Sequence, residues 1–298
     1  MRPFAVAGIQ MSVSLNNNVD AMAHRLNALM NIYPWVQMVL FSELAICGPL
    51  PSRAQPLPGP IEGAFCKMAK QHHIWLIPGS MYERRGKEIY NTTMVINPDG
   101  EVVGRYSKMF PFYPYEIGVS PGDEFMVFDV PDVGRFGMSI CYDMWFPETS
   151  RTLAVMGAEV ILHPSMTATI DRELELTLAR STAITNQCYM FDINGVGYGG
   201  YGRSIVCGPD GAVLYQAGNG EELIPIEVDL ERVRHSREHG TMHLGQMLKS
   251  FRDRAVDFSI YQPDAEHPYL DLLGRLEKPP RGKGMKGLTK LPKKERLL

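Results

Sequence analysis

Nowhere does the chain run through 18 apolar residues, the length a membrane-spanning helix needs. Its opening, Met1-Arg2-Pro3-Phe4-Ala5-Val6-Ala7-Gly8, holds an apolar stretch too short for a secretory signal. Neither export nor membrane contact is expected, and a cytoplasmic location is. Cysteine is sparse and unpatterned: Cys47, Cys66, Cys141, Cys188 and Cys207 are odd in number and form no CxxC pair. That disfavours a disulfide framework and a thiolate zinc site, and favours reduced thiols. Without a secretory route, the Asn91-Thr92-Thr93 sequon is a chance match. A dinucleotide loop is missing too, because glycine-rich residues 195–200 lead into a strand-like 204–207 where a phosphate loop requires a helix. These glycines are expected beside a pocket. No metal or cofactor is called for.

What is present is an ordinary globular composition, 45% hydrophobic and 21% charged over 298 residues, enough for one large α/β domain or two smaller ones. The net charge of −3 is unevenly spread, since from Lys278 onward eight lysines and arginines face one acid. A basic tail without interleaved aromatics does not predict nucleic-acid binding. It predicts instead an arm, residues 262–298, lying on a neighbouring subunit of a homo-oligomer, with residues 1–261 as the folded domain.

Apolar periodicity predicts a strand at 4–10, a helix at 21–32 with Ala21, Leu26, Leu29 and Met30 on one face, and a buried strand at 36–41. A helix at 63–72, a strand at 74–80 and a hairpin of 90–97 with 101–107 follow, the last turning at Pro98-Asp99-Gly100. The second half repeats this order: strand 135–140, helix 147–156, strand 160–163, helix 171–186, strand 189–194. It closes on the hairpin of 204–207 and 212–216 around Pro209-Asp210-Gly211. One domain of two similar α/β halves, two sheets covered by helices, is the consistent reading.

Three reactive side chains stand at the ends of predicted strands: Glu43, Lys108 and Cys141. Strand ends in α/β sheets open into ligand crevices, so residues far apart in sequence can meet there. Phe41-Ser42-Glu43, Gly104-Arg105-Tyr106-Ser107-Lys108 and the run from Gly137 to Glu148 (GMSICYDMWFPE) resemble the nitrilase superfamily of carbon–nitrogen hydrolases. The resemblance continues through Gly157-Ala158-Glu159-Val160-Ile161, Asn186-Gln187, Gly202-Arg203-Ser204 and Pro209-Asp210-Gly211, spanning about residues 4–236. Two positions depart from the common pattern, Ser42 for proline and Thr185 for glutamate.

The resemblance implies an αββα subunit, two mixed sheets flanked by helices, that dimerises into a four-layer sandwich. It also implies Cys141 as nucleophile with Glu43 and Lys108 beside it, and Glu116 as the second glutamate that orients the lysine. A cysteine with its ordinary pKa of about 8.5 is mostly thiol at pH 7, so it needs a base or a positive field. Glu43 supplies the first and Lys108 the second. The backbone N–H of Tyr142, after the nucleophile, is expected to hold the oxyanion.

Tyr142 and Asp143 follow the cysteine where nitrilases commonly carry Trp and Glu, so hydrolysis of a small amide leads. An N-carbamoyl hydrolase, a nitrilase and an acyltransferase are alternatives within the chemistry. A non-catalytic scaffold, or a Cys141–His163 protease, is the alternative from another class. Tyr113, Tyr115, Trp145 and Met166 are expected to line the substrate pocket, and Arg172 and Arg203 are the cations that could meet a substrate carboxylate. Asp143 reads as structural, and Glu148 as a helix-start charge beside Pro147.

Overall fold

The structure, a computed structural model, describes residues 3–254, 256–262 and 264–278. In chain order its first half comprises β1 (Phe4–Gln10), β2 (Ser12–Val13), α1 (Val19–Ile32), β3 (Met38–Phe41), α2 (Pro60–His72), β4 (Trp75–Ile77), β5 (Ser80–Arg85), β6 (Glu88–Ile96) and β7 (Val102–Ser107). The second half comprises β8 (Met126–Val130), β9 (Gly134–Met138), α3 (Pro147–Val155), β10 (Val160–Ser165), α4 (Arg172–Asn186), β11 (Tyr189–Asn194), β12 (Val196–Gly197), β13 (Ile205–Cys207) and β14 (Val213–Gln216). After it come β15 (Glu222–Val228), α5 (Leu230–His239), α6 (Met247–Asp253) and α7 (Pro268–Asp271).

The first sheet runs β15-β1-β3-β4-β6-β5 with β7 on β6, and the second runs β14-β13-β11-β10-β9-β8. Strands β1, β3 and β4 are mutually parallel, as are β9, β10 and β11. Each central strand is buried on both faces, which is why β1, β3, β10 and β11 read as almost unbroken apolar runs rather than alternations. Inner-face side chains Val6, Leu40, Phe136, Leu162 and Phe191 make one core between the sheets. Gly8 is required there, because a Cβ on it would stand 2.3 Å from Ile193 Cδ1 of the opposite sheet.

Outer-face residues Ala7, Ile9, Val39 and Leu76 meet Met22, Leu26 and Leu29 of α1 and Phe65 and Ala69 of α2. On the other side, Ile161, Met190 and Ile205 meet Leu153 of α3 and Leu176, Ala179 and Ala183 of α4. The layers are therefore helix, sheet, sheet, helix. Burying each large aliphatic side chain in them contributes about 1.5–3 kcal/mol. Among the described residues no helix is long and apolar enough to cross a membrane.

The expected strand at 74–80 is two strands. Pro78 and Gly79, the latter at φ +75°, break the run, and β5 turns back to pair with β6 from Ser80↔Thr93 to Arg85↔Glu88. Two further strands of the two main sheets were not expected from periodicity. β15 carries Pro225 opposite Ala7 and lies at the sheet edge, where a missing N–H leaves no ladder bond unmade. β8 pairs with β9 at the far edge of the second sheet. Most of the expected basic arm, residues 279–298, lies outside the described residues.

Candidate active site

Glu43, Lys108 and Cys141 converge where the two sheets' strand ends meet. The Glu43 amide donates to the Ser165 carbonyl at 3.2 Å, tying the exit of β3 to the end of β10. Lys108 leaves β7 with its amide on the Asn91 carbonyl at 2.8 Å and its own carbonyl accepting from Gly122. Cys141 follows β9 and begins a 3-10 turn, Cys141–Trp145, at φ +47°. A non-glycine residue in this left-handed region costs about 1–3 kcal/mol and persists only where its surroundings hold it. Asp143 is that restraint: its carboxylate accepts from Ile140 N at 2.9 Å, Phe110 N at 2.8 Å and Tyr106 Oη at 2.7 Å. It braces the turn against the segment after Lys108, the structural part expected of it.

Lys108 Nζ donates to Glu43 Oε1 at 2.9 Å and to Glu116 Oε2 at 2.8 Å, with the lysine and Glu43 both 1% exposed. Glu116 also accepts from Phe112 N at 2.6 Å and, on Oε1, from Tyr82 Oη at 3.1 Å. Burial works against the Lys108 charge, but Glu43, Cys141 and Glu116 outweigh it and hold the ammonium well above its ordinary pKa. Burial pushes Glu43 up to about 6 against the pull of Lys108. Glu116 goes the other way, because the charge and hydrogen bond of Lys108 overcome its burial. Cys141 is raised well above the usual thiol range by burial and then by the charge of Glu43, so it rests as a thiol.

The other expected residues fall in different places. Trp145 Nε1 reaches Glu175 Oε1 at 3.4 Å, and Met166 packs with Leu44, Tyr82 and Val119 while its backbone interacts with Cys141. Tyr142 stands second in the turn, its ring edge-on to Phe112 and Phe146. Tyr113 spends its hydroxyl on the Val119 carbonyl. Tyr115 is 57% exposed, stacked on Phe112 and covered by the Lys278 ammonium.

Neither candidate arginine is unshared. Arg172, 2% exposed, binds Glu175 at 3.1 Å, Asp192 at 2.8 Å and the Arg203 carbonyl, while Arg203 pairs with Glu173. His163 hydrogen-bonds Ser139 Oγ through Nδ1 at 3.0 Å, and burial pushes it down to about 4, leaving it a poor base. Glu148 sits in the first turn of α3 after Pro147, as expected. Thr185 turns its hydroxyl back to the Ser181 carbonyl.

Sequence reasoning passed over Tyr82 and Asn91. Both lie on strands of the first sheet, β5 and β6, whose residue pattern does not tell what a polar member faces. Asn91 Nδ2 donates to Glu43 Oε1 at 2.8 Å.

A carbon–nitrogen hydrolase family model matches residues 5–238. The omega-amidase NIT2 of Homo sapiens is 33% identical over 234 residues, 73% of this chain and 80% of that protein. The omega-amidase NIT3 of Saccharomyces cerevisiae is 35% identical over 188 residues, 57% of this chain and 64% of its own length. Among solved structures, Saccharomyces cerevisiae Nit3, described as a member of branch 10 of the nitrilase superfamily, superposes with a TM-score of 0.74 at 30% identity, over 80% of this chain and 94% of that one. A carbon–nitrogen hydrolase from Helicobacter pylori G27 gives 0.73 at 26% identity, over 92% and 99%.

Proposed function

The chain belongs to the carbon–nitrogen hydrolase family, and from that premise we propose how its own residues divide the work of cleaving an amide. It is an enzyme acting on non-peptide carbon–nitrogen bonds. Cys141 Sγ attacks the amide carbon as Glu43 takes its proton. Two of the three Lys108 Nζ donors are committed to Glu43 and Glu116, so the third is left for the developing oxyanion, with the Tyr142 backbone N–H as partner. Glu43 passes its proton to the departing nitrogen, and ammonia or an amine leaves a thioester on Cys141. Glu43 then takes a proton from water as its oxygen attacks, freeing the acid and restoring the thiol. The observation carrying this reading is a fully buried ammonium clamped between two carboxylates beside a thiol on a strained turn.

The substrate we propose is a small neutral amide. Arg172 and Arg203 are both paired with acids, so a substrate carboxylate would find neither free, while Trp145 and Met166, both partly buried, offer apolar side chains. Ammonia detection across short neutral amides, ureido acids and nitriles tests this. Release from neutral amides is expected, and release from ureido acids or nitriles alone would transfer the assignment to those classes. Hydroxamate formation with hydroxylamine would reveal acyl transfer.

The reaction's pH dependence follows from Glu43. It must be ionised in the free enzyme to accept the thiol proton, and its pKa lies at about 6 rather than the ordinary 4.5. The acid limb of kcat/KM should therefore fall tenfold per unit below about pH 6 and flatten above it. A limb centred at 4.5 would separate Glu43 from the base role.

The arm we assign to assembly. Leu270, Leu272, Leu273 and Leu276 are exposed on residues 262–278, an apolar surface suited to a second copy of the chain. Truncation after Tyr261 keeps that residue's 2.6 Å bond to Glu148 and should elute as a smaller species on sizing. Unchanged elution would remove the arm from the interface.

A further inference from the structure

Asn91 is 0% exposed, and its two amide atoms meet opposite fates. Nδ2 donates to Glu43 Oε1 at 2.8 Å, the same oxygen that takes Lys108 Nζ at 2.9 Å. Oδ1 is shut off from water with no hydrogen-bond partner. An orphaned buried carbonyl works against folding, and leucine, of similar volume, would remove it. Nor does the backbone require asparagine, since the bond from Lys108 N to the Asn91 carbonyl is open to any residue. What does require it is a neutral donor aimed at Glu43.

We propose that Asn91 is a positioning residue for the general base: it holds Glu43 Oε1 so that Oε2 is the oxygen turned to the Cys141 thiol. The inference rests on Glu43 being that base. With Oε1 occupied by two donors, the carboxylate cannot rotate to offer Lys108 both oxygens, and the proton from Sγ has one acceptor, Oε2. The same bond favours the ionised carboxylate, offsetting part of the cost of its burial. Lys108 cannot do this alone, because it is shared with Glu116. A second cation in place of Asn91 would hold Glu43 too tightly ionised to take a proton, whereas a neutral amide holds it in place and leaves it basic.

The test is Asn91→Leu and Asn91→Asp, followed by kcat, KM and melting temperature on an amide that the unaltered protein cleaves. For Asn91→Leu, kcat should fall about 10- to 100-fold with KM within about twofold, since orientation rather than binding is lost. Losing a donor to the ionised form should move the acid limb upward by about one pH unit. The melting temperature should change little, because removing the unpartnered oxygen offsets the lost donor to the buried carboxylate. Asn91→Asp, the same shape without the donor and with added charge, should move the limb further. An acid limb that stays put in both variants, or a loss of kcat matched by a loss of melting temperature, overturns the proposal. Iodoacetamide alkylation of Cys141, followed by peptide mass spectrometry across pH, reads the same limb without turnover. An unaltered protein that releases no ammonia then counts against the hydrolase reading, while the alkylation limb still decides for or against Asn91.

Discussion

Cys141→Ala should leave a folded protein whose ammonia release from amides has dropped by a factor on the order of 10⁵ or more, the scale seen when a nucleophile is deleted. The fold survives because the turn's restraint lies elsewhere. Asp143 holds Ile140, Phe110 and Tyr106 whatever side chain stands at 141, and alanine at φ +47° bears the same kind of backbone strain as cysteine. Cys141 is a small residue, 9% exposed, so replacing it with alanine removes one atom and opens little volume. Cys141→Ser should be nearly as inactive, since a hydroxyl asks far more of Glu43 than a thiol does. Circular dichroism and ammonia detection on one preparation settle the matter, and normal release from the alanine variant would end the nucleophile assignment.

The other four cysteines offer no substitute. Cys188 and Cys207 are buried in the core between the second sheet and its helices and pushed up to about 12 by desolvation, so neither supplies a thiolate near pH 7. Cys47 is also buried and raised, and Cys66 lies on α2, away from the strand ends. The contrast with Cys141 is one of company rather than of burial. All are desolvated, and Cys66 and Cys207 also feel a carboxylate and a guanidinium, but Cys141 faces the buried Glu43–Lys108 pair at the strand ends.

That company explains what could be read from the chain and what could not. The strand ends were legible, because Glu43 stands where an apolar run buried on both faces stops, Cys141 follows the buried end of β9, and Lys108 follows the second strand of a hairpin whose turn is written as Pro98-Asp99-Gly100. The two-sheet architecture was legible for the same reason. Asn91 was not: a strand's period of two fixes which face a residue takes, but its bond to Glu43, 48 positions away, depends on how β6 is placed against β3 in three dimensions. β15 escaped notice because Pro225 interrupts its pattern, harmlessly only at an edge. Proximity in sequence to Lys108 suggested a pocket wall at Tyr115, and the residue stands 57% exposed with its ring stacked on Phe112. Arg172 resembled a ligand for a substrate anion until Asp192 and Glu175, 20 and 3 positions away, were seen to occupy it.

Lys108→Met should damage both stability and catalysis, and the two losses should separate under a second substitution. Glu43 and Glu116 are buried around the lysine with side chains 2% and 13% exposed, so removing the ammonium leaves two carboxylates without a counter-ion. Breaking a buried pair in this way costs about 3–5 kcal/mol near neutral pH. Its sign with pH is fixed: without Lys108 both carboxylates bind protons more tightly when folded than when unfolded, so stability recovers as pH falls and they become neutral. Urea denaturation at pH 5 and pH 8 should therefore show a smaller deficit at pH 5. Adding Glu116→Gln removes one of the two stranded charges and should restore a large part of the stability at pH 8. It should restore none of the activity, because the oxyanion still lacks its ammonium, a loss of at least 10²- to 10³-fold in kcat. If Lys108→Met were as stable as the unaltered protein at pH 8, the clamp would not be holding charge. If the double variant regained turnover along with stability, Lys108 would be a support for the fold, and the oxyanion would have to be stabilised by some other group.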